Sequence, residues 1–310
     1  MGGPGPSVSR ATVARPRVGV VKFASCDGCQ LTLLDLEDEL LEIAGRFDIV
    51  EFPEASSSRS EGPYDVLFVE GSVSTPEQAE QIVELRRQAK LLVTIGACAT
   101  AGGIQALRNW ADHDAFRAAV YPHPEYVASL ARATPVADHV PVDAALRGCP
   151  IGIGQLRELL TSLILGRRPE IRDEAVCAEC KRRGAVCVVV ATGTPCLGPV
   201  TQGGCGALCP RWGRGCYGCF GPREGANTAS LAATFRAEGR SDSDVGRLFA
   251  GFTAWAEPFR TVVDELGGTP GAGGGGATGG GSAGGGSAGG GPATGGGPEI
   301  GSGGRDERQA

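Results

Sequence analysis

The chain has 310 residues, a formal net charge of −6 and 12 cysteines. A mildly acidic balance supplies no basic field for nucleic acid, and no apolar run reaches the ~18 residues that a membrane span needs. The stretch MGGPGPSVSRATVARPRVGV holds neither an apolar signal core nor a twin arginine, so a cytoplasmic location is expected. In that reducing compartment, 12 cysteines point to metal binding ahead of disulfides.

Residues 1–15 read as a flexible N-terminus. RVGVVKF (17–23) is a short β-branched run and predicts a buried strand. After a cysteine-containing loop, LTLLDLEDELLEIAG (31–45) repeats leucine every three or four residues, the pattern of one amphipathic helix ending at Gly45. DIVEF and DVLFVEG predict the second and third strands. TPEQAEQIVELRRQA predicts a helix with Thr75 as N-cap and Pro76 at the first helical position. KLLVTIG is a fourth strand, HVPVDAALRGCPIG holds a shorter run, and IGQLRELLTSLILG is a helix. Strands alternating with helices imply an α/β domain with a parallel sheet covered on both faces, here residues 16–168.

From residue 169 to 266 the texture changes. Residues 177–225 are rich in Cys, Gly and Pro and show no clear period. A bare loop of that length is uncommon in a compact domain, and metal clusters would supply the missing core. Short helices are expected at 226–239, 241–251 and 254–266, with Ser241 capping the second. Residues 267–310 carry a large share of the 51 glycines and almost no large apolar side chain, the composition of a disordered Gly-rich tail.

The cysteines divide by context. Cys26 and Cys29 form C-x2-C after the first strand, Cys98 follows the fourth, and Cys149 follows a later strand. Sites in open parallel sheets form at the carboxyl ends of strands, so these four can converge. Four thiolates suit zinc or a [4Fe–4S] cluster, and spacing alone leaves both open. The other eight, Cys177, Cys180, Cys187, Cys196, Cys205, Cys209, Cys216 and Cys219, make two further sets of four, opened and closed by C-x2-C pairs. Interspersed glycines let backbone amides approach sulfur. Cys149-Pro150 and Cys209-Pro210 resemble the ligand-proline steps of iron–sulfur loops. Zinc ribbons are the rival reading, but zinc carries no electrons.

The motifs SCDGCQLTLLDL, VEGSVSTPEQ, GACATAGGIQ, GCPIG, VCAECKRRGAVC, PCLGPVTQGGCGALCP and GCYGCFG together closely resemble the small subunit of [NiFe] hydrogenases. The likeness spans roughly residues 17–225 and is strongest to the cytosolic group, which includes sulfhydrogenase delta subunits and NAD(P)- or F420-linked enzymes. The resemblance implies a flavodoxin-like domain with a proximal [4Fe–4S] cluster on Cys26, Cys29, Cys98 and Cys149. It implies an irregular, cluster-stabilised C-terminal domain with a distal cluster on Cys177, Cys180, Cys187 and Cys196 and a medial one on Cys205, Cys209, Cys216 and Cys219. A one-cysteine exchange between the last two sets also fits the spacing. Periplasmic relatives carry histidine where Cys177 stands and proline near Cys209, the latter with a three-iron medial cluster, so three four-iron clusters are expected here. Oxygen-tolerant relatives carry extra cysteines at the positions of Gly28 and Gly103.

The resemblance implies that the nickel–iron site lies on a separate large subunit and that this chain relays electrons from it to a flavin- and iron–sulfur-containing NAD(P)-reactive partner. The small iron–sulfur subunit of NADH:quinone oxidoreductase is the alternative, but it holds one cluster and adjacent cysteines at its first site, where Asp27 and Gly28 intervene here. Glu70 ends the third strand as either a solvated loop carboxylate or a group in proton or interface chemistry. His113, His123 and His139 lie in no motif.

Overall fold

The computed structural model describes residues 15–267. The expectations for residues 1–14 and 268–310 lie outside the described residues. In chain order the first part comprises β1 (Arg17–Lys22), α1 (Gly28–Leu34), α2 (Asp38–Arg46), β2 (Asp48–Glu51), β3 (Tyr64–Glu70), α3 (Pro76–Gln88), β4 (Ala89–Ile95) and α4 (Gly96–Ala101). A 3₁₀ segment (Ile104–Trp110), α5 (His113–Val120), β5 (Ala144–Leu146) and α6 (Ile153–Leu165) follow. The five strands pair in parallel in the order β2-β1-β3-β4-β5. That is the flavodoxin-like order, with its switch point between β1 and β3.

Side-chain alternation along β3 builds two cores. Val66 and Phe68 join Leu33, Leu36, Leu156 and Leu159 on one face, while Leu67 and Val69 join Ile82, Leu85 and Val136 on the other. A sheet buried on both faces needs this continuous apolar run. Helix α3 starts as the sequence predicts: Thr75 accepts from the Gln78 N–H, and the Gln78 side chain reaches back to the N-cap amide. This reciprocal pair satisfies two orphan donors.

The single helix expected over 31–45 is in fact two. Glu37 takes φ 49 and ψ −117 and separates α1 from α2. Helix α1 begins inside the cysteine loop, where Glu70 holds the Cys29 amide and the Gln30 side chain. Helix α2 lies along the sheet with Leu40 and Ile43 against the core. The turn lets each half meet its own anchor.

The segment read as irregular also contains three short helices, α7 (Val176–Arg182), α8 (Val188–Thr192) and α9 (Leu208–Arg211). Around them a small core forms from Val176, Val188, Ala207 and the side chains of Cys196 and Cys216. The three later helices stand as expected: α10 (Thr228–Ala237), α11 (Asp242–Phe249) and α12 (Glu257–Leu266). Ser241 caps α11 by accepting from the Asp244 N–H at 3.2 Å. Phe249 and Phe259 meet edge to face, 5.4 Å between centroids, in the core of this group. No helix among the described residues is long and apolar enough to cross a membrane.

Candidate metal-cluster sites

Three strand ends supply the four cysteines of the first set. Cys26 and Cys29 follow β1, Cys98 lies on α4 after β4, and Cys149 follows β5. Gly96 sits at φ +86, and a Cβ there would stand 2.3 Å from Cys29 Sγ, so only glycine leaves room for that thiol. The Ala97 N–H donates to Gly148 O at 2.6 Å and ties the β4 end to the Cys149 loop. Gln105 spans the site: its Nε2 donates to Ala24 O at 2.9 Å, and its Oε1 accepts from Cys98 Sγ at 3.4 Å.

Burial pushes the Cys29 thiol well up, and Glu70, Cys98 and Cys149 push it in the same direction. Cys98 rises to about 11 through burial, with Cys149 and Cys26 adding to it. Cys149 rises through burial and then Cys26. The four thiols thus lie within electrostatic reach of one another.

Glu70 is no solvated loop carboxylate: it is 2 % exposed. It accepts from the Cys29 N–H at 3.0 Å and from Gln30 Nε2 at 2.8 Å. Burial raises its pKa against those hydrogen bonds.

The remaining eight cysteines fall near one another in the C-terminal part. Cys177 and Cys180 lie on α7 and Cys187 caps α8. Cys177 rises to about 11, first through burial and then through Cys196, Cys180 and Cys187. Cys196 Sγ accepts from the Gly198 N–H at 3.4 Å and the Cys216 N–H at 3.1 Å. Burial also raises Cys205, whose thiol meets the Leu208 and Ala207 amides and feels Cys209. Cys216 is raised chiefly by burial while the Gly218 amide opposes the rise, and Cys196 and Cys219 add to it. Cys219 rises to about 12 through burial and then Cys205, with the Cys149 amide directed at its thiol.

All twelve thiols are free. Buried thiolates repel one another, and a cationic metal core is what would let four share one cavity. Backbone N–H groups on sulfur and glycines with no space for a Cβ are the surroundings an iron–sulfur cluster requires. Among the described residues, no three His, Cys, Asp or Glu converge on one ion position. Sets built of cysteine alone, with backbone amides directed at sulfur, fit an iron–sulfur cluster.

The positions where oxygen-tolerant relatives carry extra cysteines differ here. A Cβ at Gly28 would meet Cys26 Sγ at an ordinary 3.5 Å, but one at Gly103 would stand 2.5 Å from Cys98 Sγ. The histidines hold local partners: His113 with Ser129, His123 with Glu125, His139 with Thr134. Sequence reasoning missed Gln30, Gln105 and Glu179; the last stands between two cysteines in CAEC and could have been noticed there.

A flavodoxin-like sheet with a thiol rim at its carboxyl edge, followed by eight more cysteines, defines an iron–sulfur electron-transfer subunit. The family described as NADH ubiquinone oxidoreductase, 20 Kd subunit, matches residues 26–163, which covers the first cysteine set and stops before the other eight. Sulfhydrogenase 2 subunit delta of Pyrococcus furiosus is 37% identical over 77% of this chain and 100% of its own length. A subunit of the vhu F420-non-reducing hydrogenase of Methanococcus voltae is 31% identical over 76% of this chain and 94% of its own. The NAD-reducing hydrogenase HoxS subunit delta of Cupriavidus necator is 25% identical over 52% and 85%. The chain belongs to the hydrogenase small-subunit family, the electron-transfer subunits of an oxidoreductase.

Proposed function

We propose that this chain carries electrons between a [NiFe] large subunit and a flavin- and NAD(P)-type partner by way of three [4Fe–4S] clusters. Cys26, Cys29, Cys98 and Cys149 would hold the proximal one, Cys205, Cys209, Cys216 and Cys219 the medial one, and Cys177, Cys180, Cys187 and Cys196 the distal one. When bound, such clusters supply reversible one-electron storage at potentials set by their surroundings. The observation that carries the reading is the gathering of the C-x2-C pair, Cys98 and Cys149 at the carboxyl edge of the sheet, with eight further free cysteines after it in the chain. Support for a [NiFe] partner comes from the sulfhydrogenase and F420-non-reducing relatives. Support for a pyridine-nucleotide acceptor comes from the NAD-reducing relative. A cytoplasmic place follows from the need to keep twelve thiols reduced until metal arrives.

The chain's own residues would do three things. Glycines at 96 and 198 leave space beside sulfur. Amides such as those of Cys216 and Gly218 neutralise charge on the sulfurs, which raises the potential of whatever they hold. Cys187, exposed at the start of α8, gives the distal set an outlet to a partner.

The test is metal content. The complex purified without air, corrected for iron on the large subunit, should hold about 12 iron atoms and as many sulfides per chain. Stoichiometric zinc in place of iron would overturn the proposal.

A further inference from the structure

Glu179 stands on α7 between Cys177 and Cys180, yet its carboxylate serves a different loop. Its Oε1 accepts from the Gly204 N–H at 2.9 Å and its Oε2 from the Ala207 N–H at 3.1 Å. Cys205 Sγ lies 3.9 Å from Oε2. The loop it grips is conformationally costly: Gly204 and Gly206 have φ +151 and +66, and Ala207, a residue with a Cβ, sits in the left-handed region at φ 56, ψ 41 while fully buried. Left-handed alanine is strained by its Cβ, so the loop needs an external clamp. The backbone adds a second tie, Gly203 N–H to Glu174 O at 2.7 Å.

Two arginines stand near the Glu179 carboxylate without an ion pair to it: the Arg183 guanidinium packs against Gly206 of the same loop, and Arg182 feels the Glu179 charge. Arg182, one turn along, is engaged by Glu174 in a two-point ion pair, and no ion pair to Glu179 occurs among the described residues. A carboxylate therefore faces a partly buried sulfur of one set from the helix that carries two cysteines of another.

We infer that Glu179 is a positioning and potential-setting residue for the medial cluster: it clamps the Gly204–Ala207 loop around Cys205 and, through its negative charge, holds that cluster at a lower potential than its thiolates and amides alone would. The inference rests on the cluster assignment proposed above. A fixed negative charge disfavours an added electron, and low local dielectric strengthens the effect. Such a setting suits a relay that must deliver electrons to a low-potential carrier.

The experiment is a redox titration of the whole complex followed by electron paramagnetic resonance, comparing wild type, Glu179→Gln and Glu179→Asp. Glutamine keeps one amide acceptor and loses the charge. The expected result is full iron content with one cluster, and only one, shifted about tenfold toward its reduced form at fixed potential, which is 59 mV for a one-electron couple. Aspartate keeps the charge and should leave that potential near wild type. A Glu179→Gln complex with full iron and unmoved potentials overturns the inference alone. Should Glu179→Gln lose iron, Glu179→Asp decides: iron retained supports the inference, and iron lost in both makes Glu179 a packing residue and overturns it. A wild-type complex without iron overturns the cluster assignment, and the inference with it.

Discussion

Cys209 occupies the second position of α9, where a helix has no intrahelical partner for the amide. A proline there sacrifices no helical hydrogen bond, and Pro210 already follows. Cys209→Pro should therefore fold while removing one of the four thiolates of its set. The iron left without a ligand should be labile, giving a three-iron cluster with a narrow, nearly isotropic paramagnetic signal in the oxidised state. A folded variant with no such signal would require redrawing the ligands among Cys196 to Cys219. At this scale the sequence was informative about cysteines and uninformative about acids. Cysteine chemistry is carried by residue type and spacing, both visible in a string of letters. Glu70 and Glu179 look like any exposed glutamate until tertiary packing buries one to 2 % exposure and sets the other against three groups of a remote loop.

Among the elements, the break between α1 and α2 is the clearest departure from expectation. Leu33, Leu36, Leu40 and Ile43 are spaced as one helical face would space them, so periodicity alone cannot reveal a turn at residues 35–37. Glu37 there adopts φ 49, ψ −117, a combination open to glycine and costly for a residue with a Cβ. Glu37→Gly should stabilise the fold by about 1 kcal/mol, read as a higher urea midpoint at unchanged slope with iron content unaffected; destabilisation would show that the turn is held by the glutamate side chain. Strands β1, β3 and β4 were legible because β-branched and apolar runs mark strands buried on both faces. Helices α7, α8 and α9 were not, since 7, 5 and 4 residues are too few to show a 3.6-residue period.

Across the whole molecule, the proposed assignment makes the proximal set the gate between the partner's metal site and the rest of the relay. Cys29→Ser replaces a thiolate with a poorer iron ligand at a position packed against Gly96 and Glu70. Reduction of the physiological carrier should fall roughly tenfold or more, while hydrogen–deuterium exchange by the assembled complex stays close to wild type. Carrier reduction at the wild-type rate would count against Cys29 as a ligand. The sheet whose carboxyl edge carries Cys26, Cys29, Cys98 and Cys149 was legible from strand alternation. The contacts between sets were not, because they are made by main-chain atoms that carry no residue-specific mark. One such contact has a consequence for conduction. The Cys216 N–H reaches Cys196 Sγ at 3.1 Å. On the proposed assignment, the medial and distal clusters would be bridged by a hydrogen bond from the backbone of one ligand to the sulfur of another. A tunnelling electron loses less amplitude along such a bridge than across an open gap. That step of the proposed relay would then run through backbone atoms, and side-chain substitutions elsewhere in the molecule would leave it uncut.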